Sequence, residues 1–201
     1  MKTTTLWKSM KAGPKSGVGN MTWEVGKWEK HEGALSMCDS GFHASVRAID
    51  AMQYVNCEIL ALVEVRGEHL RQDDKQCWSE MRVVRAYEWT KPDSVAMAIY
   101  CAELVVGIYE KQHPDDKRPR QAIEAAKAWL NDPTEENRQA ASAASAAAYD
   151  AAYAAASAAY AAYAAYDAAY AAYAAASSAA AVLDKIEAWI QERIATLKEL
   201  P

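Results

Sequence analysis

The sequence lacks an excess of positive charge, and this absence bears first on the kind of partner that the protein binds. Its 201 residues include 22 lysines and arginines against 27 aspartates and glutamates, for a formal net charge of −5. The first 90 residues are balanced, so the acidic excess falls in residues 91–201. Proteins that bind nucleic acid non-specifically need lysine and arginine to displace counterions from phosphate. We therefore expect no direct nucleic-acid binding and allow attraction to a basic protein surface.

The N-terminus lacks an apolar core of signal-peptide length, and no run of about 18 strongly apolar residues stands out. The long tract of alanine and tyrosine around Tyr160 is long enough to span a bilayer, but Asp150 and Asp167 interrupt it. Alanine is also too weakly apolar to favour lipid strongly. We expect a soluble, cytoplasmic protein with no membrane partner.

Paired cysteine motifs and the common cofactor signatures are missing as well. The four cysteines (Cys38, Cys57, Cys77 and Cys101) include no C-x-x-C, so they are predicted to be structural thiols. A zinc site made by Cys38, Cys77 and either His43 or His69 stays open as an alternative. Signatures of phosphate loops, dinucleotide sites, zinc proteases and EF-hands do not occur. We expect no metal and no cofactor.

Two halves of different character follow each other along the chain. The first has many turn residues and apolar runs typical of strands at Ile59–Val65 and Glu80–Tyr87, with a more exposed strand at Trp23–Glu29 and a short helix over Ser45–Tyr54. After Pro92 the spacing becomes helical. The sequence predicts an α+β protein: a small mixed α/β domain over residues 1–90, then an all-α bundle rich in alanine and tyrosine over residues 91–201.

The helical half is punctuated by proline. One helix is predicted from Lys91 to His113 and a second over Pro119–Leu130. Asp132 is predicted to cap the next helix, with Pro133 in its first turn and Glu135 reaching back as in a capping box. Glycine and proline are then absent until Pro201, so helix is predicted as far as Leu200, with at least one break or reversal.

Tyrosines recur at steps of three, four or seven within the alanine tract and share one broad sector of a helix. The candidate binding face consists of Tyr160, Tyr163, Tyr166, Tyr170 and Tyr173. Alanine lets helices approach closely and tyrosine fills the gaps, so the face either packs inside the bundle or meets a partner. Both readings stay open, and a homodimer through such seams is possible.

Two short runs are candidate polar sites. In Cys38–Ser45 a glycine turn brings His43 and Ser45 to a predicted helix start, where free N–H groups can hold an anion, although a structural histidine is the simpler reading. The turn between the first two helices of the second half gathers Asp115, Asp116, Arg118 and Arg120. It is either a recognition patch or a capped loop, and a pair between Arg120 and Glu124 would favour the loop.

The first half resembles an uncharacterised domain of phage and bacterial proteins, on a few short runs. These are Met21–Lys27, Cys38–Ser45, Leu62–Val65 and Ser79–Val84. No activity comes with that resemblance. It also looks, more distantly, like ADP-ribosyltransferases, which implies an alternative reading as an NAD-dependent enzyme. That alternative places Ser45 and Glu80 in the catalytic positions and matches Trp7 and Lys8 loosely to the first strand.

The second half resembles a family of immunity proteins. The matching segments lie within Ala98–Leu130 and comprise Cys101–Glu103, Pro114–Asp116, Arg118–Arg120 and Ala122–Trp129. Tyrosine in the repeats replaces the small, histidine or arginine residues of relatives. This resemblance, the tyrosine-bearing helical surface, the acidic excess and the lack of an assembled catalytic set together lead us to expect a non-catalytic inhibitor. It would bind a toxin or a defence effector such as a CRISPR nuclease complex in a bacterial cell, encoded by the bacterium or by a phage. An enzyme and a structural phage protein are the alternatives.

Overall fold

The computed structural model describes residues 2–19, 21–147 and 168–201, and within 168–179 it describes the backbone alone. By their contacts these residues form two compact units. The first consists of Met1–Lys91 together with Glu187–Pro201, and the second of Pro92–Ile186. The predicted division of the chain after residue 90 stays a prediction.

The first unit is built on an antiparallel sheet. Its strands are β1 (Thr4–Met10), β2 (Trp28–Lys30), β3 (Phe42–Ala44), β4 (Ile59–Arg71), β5 (Gln76–Glu88) and β6 (Glu199–Leu200). The main path runs β1-β4-β5-β2, and β3 and β6 also pair with β5. With the helices of the second unit, this sheet confirms the predicted α+β fold class.

Alternation along the strands places one apolar face of the sheet in a common core. In β4 every second residue from Ile59 to Val65 is almost fully buried, and Met81 and Val83 of β5 join them. Side chains of successive strand residues point to opposite faces, so this spacing of two produces a buried face. The core supports β1, which in turn positions the candidate site described below.

Two predicted elements of this unit are shorter than expected. The helix predicted over Ser45–Tyr54 is confined to α1 (Ala48–Met52), because Ser45 pairs through its backbone with Trp7 of β1. The strand predicted over Trp23–Glu29 is regular only from Trp28. Before it, Gly26 has a φ of +84°, a conformation that breaks a regular ladder.

The second unit is helical. It contains α2 (Lys91–Gln112, from Pro92 onward), α3 (Arg118–Asn131), α4 (helical over 135–147) and most of α5 (Ala168–Ile194). Ile99, Val106 and Ile123 are buried together between α2 and α3. Among the described residues, α2 alone is long and apolar enough to cross a bilayer by length and composition, with a mean hydropathy of 1.3. This qualifies the expectation that the chain has no such stretch.

The helix cap and the C-terminal helix differ from prediction. The cap of α4 is Thr134 and not Asp132, because the Thr134 hydroxyl accepts the Asn137 N–H at 3.2 Å. The predicted helix to Leu200 is wrong at its end: α5 stops at Ile194 and the chain then forms β6. Pairing with the open edge of β5 outweighs the local helix preference there, as tertiary contacts often do.

Candidate functional site

A cleft of about 350 Å³ opens in the first unit beside β1 and β3. Its walls include residues that the sequence had singled out for different reasons, namely Trp7, Lys8, His43 and Ser45. The chain's single phenylalanine, Phe42, lines it too. A concave, largely apolar pocket with a few polar groups is the usual form of a small-molecule site.

Lys8 is the charged group most enclosed by this cleft. It is half-buried on β1, and its Nζ donates to the His43 carbonyl oxygen at 2.9 Å. The same Nζ lies 5.3 Å from the centroid of the Trp23 ring. Burial disfavours the charged amine and lowers the pKa of Lys8 to about 8. Lys8 is therefore a cation that the fold holds at a cost in solvation.

His43 accepts a hydrogen bond through its ring, as a neutral imidazole does. Its Nε2 accepts the backbone N–H of Cys38 at 2.9 Å, which leaves the proton of the neutral ring on Nδ1. Burial lowers the pKa of His43, and the positive charges of Lys8 and Lys75 lower it further. These contacts give His43 a structural partner, and Lys8 and Lys75 line the same cleft.

Ser45 lines the cleft, but the predicted helix start with free N–H groups is not there. Ser45 and Trp7 exchange two backbone hydrogen bonds of 2.8 Å each. The first N–H groups of α1, those of Ala48 and Ile49, donate to the Glu187 carboxylate at 3.1 and 3.2 Å. A side chain of the same unit thus occupies the place expected for an anion.

Glu80, the other candidate of the enzyme reading, is held elsewhere on the sheet. Its carboxylate accepts the Arg66 Nε at 2.7 Å, and Glu80 is not among the described residues that line the cleft. The neighbour of Ser45 on β3, Ala44, pairs with Gln76, four residues before Glu80 on β5. At about 3.3 Å per residue these positions are about 13 Å apart along the strand. Ser45 and Glu80 are therefore not brought together.

The charged turn between α2 and α3 is held by its own contacts. Asp116 accepts the backbone N–H of Arg118 at 3.0 Å and its guanidinium at 2.6 and 2.9 Å. The Tyr109 hydroxyl also donates to Asp116, at 2.8 Å. These donors hold the pKa of Asp116 well below its usual range. The turn is consequently fixed between the end of one helix and the start of the next.

Arg120 and Asp115 complete this turn. Arg120 forms a bidentate pair with Glu110 of α2, with N–O distances of 2.7 and 2.9 Å, rather than the predicted pair with Glu124. Glu124 instead accepts the Lys127 Nζ at 3.0 Å. Asp115 is exposed and makes no hydrogen bond or ion pair with any residue in the described parts of the chain. The turn thus presents one unpaired carboxylate on a braced support.

Sequence reasoning missed the bracing residues Tyr109 and Glu110. Both lie in the last turns of α2, and only their position opposite the start of α3 brings them to Asp116 and Arg120. The proline between Arg118 and Arg120 signals a helix start, but it does not reveal which acidic partner each arginine selects. The partners depend on the angle at which the turn sets α3 against α2, and the sequence does not give that angle.

The tyrosine face falls largely outside what the structure describes. Tyr160, Tyr163 and Tyr166 lie outside the described residues, and Tyr170 and Tyr173 lie on the described backbone of α5. Whether the face is internal or exposed stays a prediction with two alternatives.

The possible metal ligands are dispersed over the described residues. No three histidine, cysteine, aspartate or glutamate side chains in those parts of the chain group as ligands for an ion. Cys77 donates to the Ser40 carbonyl at 3.1 Å, and His69 stacks on Trp78 at 4.2 Å between centroids. The zinc alternative therefore has no cluster to support it in the described residues.

Two family models match the chain, one in each half. Residues 5–93, which include the sheet and its cleft, match the model of a domain of unknown function (DUF7666). Residues 90–200, which include the braced turn, match the family described as "Imm-5 like putative immunity protein". That second match covers more than half of the chain, and the chain belongs to this immunity protein family. No curated protein and no solved structure matches the chain.

Proposed function

We propose that the protein is a non-catalytic inhibitor that binds and blocks another protein. Its target is a toxin or, in a counter-defence role, a defence effector such as a CRISPR nuclease complex. It acts in the cytoplasm of a bacterial cell, encoded by the bacterium or by a phage, and needs no cofactor. Membership of the immunity protein family supports the general role, and the target is the specific part of the proposal.

The braced turn between α2 and α3 is the observation that carries the proposal. Its two arginines, Arg118 and Arg120, are held by bidentate pairs, so the support around Asp115 has little side-chain freedom left to lose when a partner binds, and such preorganisation favours affinity. Asp115 stands exposed at its tip, in the half of the chain that carries the acidic excess. A basic protein surface, such as the substrate-binding face of a nuclease toxin, fits this charge.

The tyrosine face and a homodimer extend this proposal. Tyrosine is enriched at protein interfaces because it offers a large, rigid contact area at low entropic cost. Changing Tyr163, Tyr166 and Tyr170 together to alanine is expected to reduce partner binding while helicity is kept. Unchanged binding in a folded variant would remove the face from the proposal.

Growth rescue tests the proposal. The full chain is co-expressed in bacteria with each member of a panel of bacterial toxin domains, and one member is expected to lose its toxicity. Asp115→Lys is expected to abolish that rescue, because it places a positive charge against a basic partner. Asp73→Lys, an equal charge change at an exposed position of the first unit, is the matched control. Rescue by Asp115→Lys equal to that by wild type would exclude the turn as the binding surface.

The enzyme alternative is tested separately. Incubation with labelled NAD, with Glu80→Gln as control, detects transfer of label to protein or nucleic acid. Transfer that depends on Glu80 would replace the binding-only proposal. Because Glu80 pairs with Arg66 away from the cleft, we expect none.

A further inference from the structure

The cleft of the first unit holds a positive charge that the described residues leave without a matching negative one. In the described parts of the chain no carboxylate lies within 4 Å of the Lys8 Nζ, and its contacts are a carbonyl oxygen and an aromatic ring. Charged groups removed from water are ordinarily paired. A half-buried ammonium with neutral partners alone is therefore a position where an anion would be stabilised.

A second lysine adds to this potential. Lys75 lines the same cleft, with its Nζ 4.1 Å from the centroid of the Tyr54 ring. Asp39 is the acidic residue in the lining, so two lysines face one carboxylate there. The balance is positive, in a chain whose net charge is −5. Charge complementarity thus points to an anionic occupant.

The walls of the cleft favour a planar ring. Four aromatic residues line it, namely Trp7, Trp23, Phe42 and Tyr54. Aromatic side chains bind flat, unsaturated rings by stacked or edge-to-face contact. The volume of about 350 Å³ lies at the lower end of the usual range for small-molecule pockets, which suits a mononucleotide-sized ligand.

We infer that this cleft binds a small aromatic anion, one ring system bearing a phosphate, with Lys8 as the group that receives the phosphate. The inference goes beyond the proposed function, since the cleft lies in the first unit and the braced turn lies in the second. The ring rests against the aromatic wall, and the phosphate exchanges water for the Lys8 ammonium. A charge-assisted hydrogen bond of this kind in a half-buried site is stronger than one at the surface.

Isothermal titration of the full chain with three matched probes tests the inference. The probes are AMP, which has ring and phosphate, adenosine, which lacks the phosphate, and ribose 5-phosphate, which lacks the base. AMP is expected to bind the wild type at least about tenfold more tightly than either of the other two. Equal binding of AMP and adenosine, or no binding of AMP up to about 10 mM, would overturn it.

Variants locate the anion. Lys8→Met is expected to weaken AMP binding at least about tenfold and to leave adenosine binding unchanged, since it removes the ammonium alone. Lys11→Met, at an exposed position near the end of β1, is the matched control and should bind AMP as the wild type does. Lys75→Met should give a smaller loss and keeps the test informative if Lys8→Met folds poorly. AMP affinity that survives both cleft variants would contradict the assignment. Toxin rescue by Lys8→Met should be normal, so the two proposals fail independently.

Discussion

Lys8 makes a testable prediction about stability, because the fold holds its amine where water is scarce. Its pKa is about 8 in the folded protein, against 10.5 for an ordinary lysine. This difference of about 2.5 pH units corresponds to a cost of at most about 3 kcal/mol when the amine is charged. Lys8→Met removes that cost at pH 7. It also loses the hydrogen bond to the His43 carbonyl and the contact with the Trp23 ring, at about 1 to 2 kcal/mol together. We expect the free energy of unfolding to rise by about 1 to 2 kcal/mol.

The pH dependence provides the sharper readout. A lysine with a lowered pKa destabilises the fold below about pH 8, where both states are charged, and this cost disappears as the pH rises from about 8 to 10.5, where the folded state loses its proton first. The wild type should therefore gain stability relative to Lys8→Met across that window. Both proteins share every other titrating group, so their difference reports on Lys8 together with His43 and Cys77, whose pKa values the Lys8 charge lowers.

Urea unfolding followed by tryptophan fluorescence at pH 7, 8.5 and 10 measures this effect. Six of the seven tryptophans lie in the first unit, and the signal therefore reports mainly on the unit that contains Lys8. Lys11→Met serves as the control for removing a lysine at an exposed position. A Lys8→Met protein that is less stable than wild type at pH 7, with a constant difference at all three pH values, would show that the fold does not hold Lys8 at a cost.

Three further predictions concern the stability of the first unit. Gly41→Ala should lower the free energy of unfolding by about 2 to 4 kcal/mol, because Gly41 has a φ of +110° and a Cβ there would lie 2.5 Å from the Cys77 sulfur. Gly26→Ala is the control: its φ is also positive but the space around it is open, so it should cost only about 1 kcal/mol. Equal losses in urea unfolding would contradict this. Glu187→Gln should lower it by about 1 kcal/mol, since the first N–H groups of α1 lose a charged acceptor, and an unchanged midpoint would argue against the cap. Deleting residues 195–201 removes β6 and the Lys198 carbonyl, which accepts the Glu88 N–H at 3.0 Å. The Glu88 amide should then lose its protection from hydrogen exchange, and retained protection would mean that β6 does not pair there.

The elements that sequence reasoning predicted well are those that local signals determine. The strand at Ile59–Val65 follows from a nearly continuous apolar run with β-branched residues, and the helix from Lys91 follows from apolar spacing between prolines. The braced turn was located because charges and proline cluster within a few residues. In each case the signal that led to the prediction lies within a short stretch of the sequence.

The features that escaped prediction depend on distant partners. Arg85 donates to Glu199, which lies 114 residues further along the chain. The sequence around Leu200 carries no signal that the edge of β5 is available for pairing. Glu187 caps α1 in the same way, from the opposite end of the chain. The sequence predicted only part of the cleft. His43 and Ser45 were candidate site residues, but the burial of Lys8 and its contact with the Trp23 ring depend on how distant segments pack, which the pattern of β1 does not show.

Calorimetric titration determines whether this protein binds a toxin through the turn between α2 and α3. The toxin whose growth inhibition the chain relieves is purified and titrated calorimetrically with wild type, Asp115→Lys and Asp73→Lys. We predict a specific complex that Asp115→Lys weakens at least about tenfold, because like charges then oppose each other, while Asp73→Lys changes affinity by less than about twofold. Rescue without measurable binding, or binding that Asp115→Lys leaves intact, would contradict the proposal that this protein blocks its target through the turn between α2 and α3.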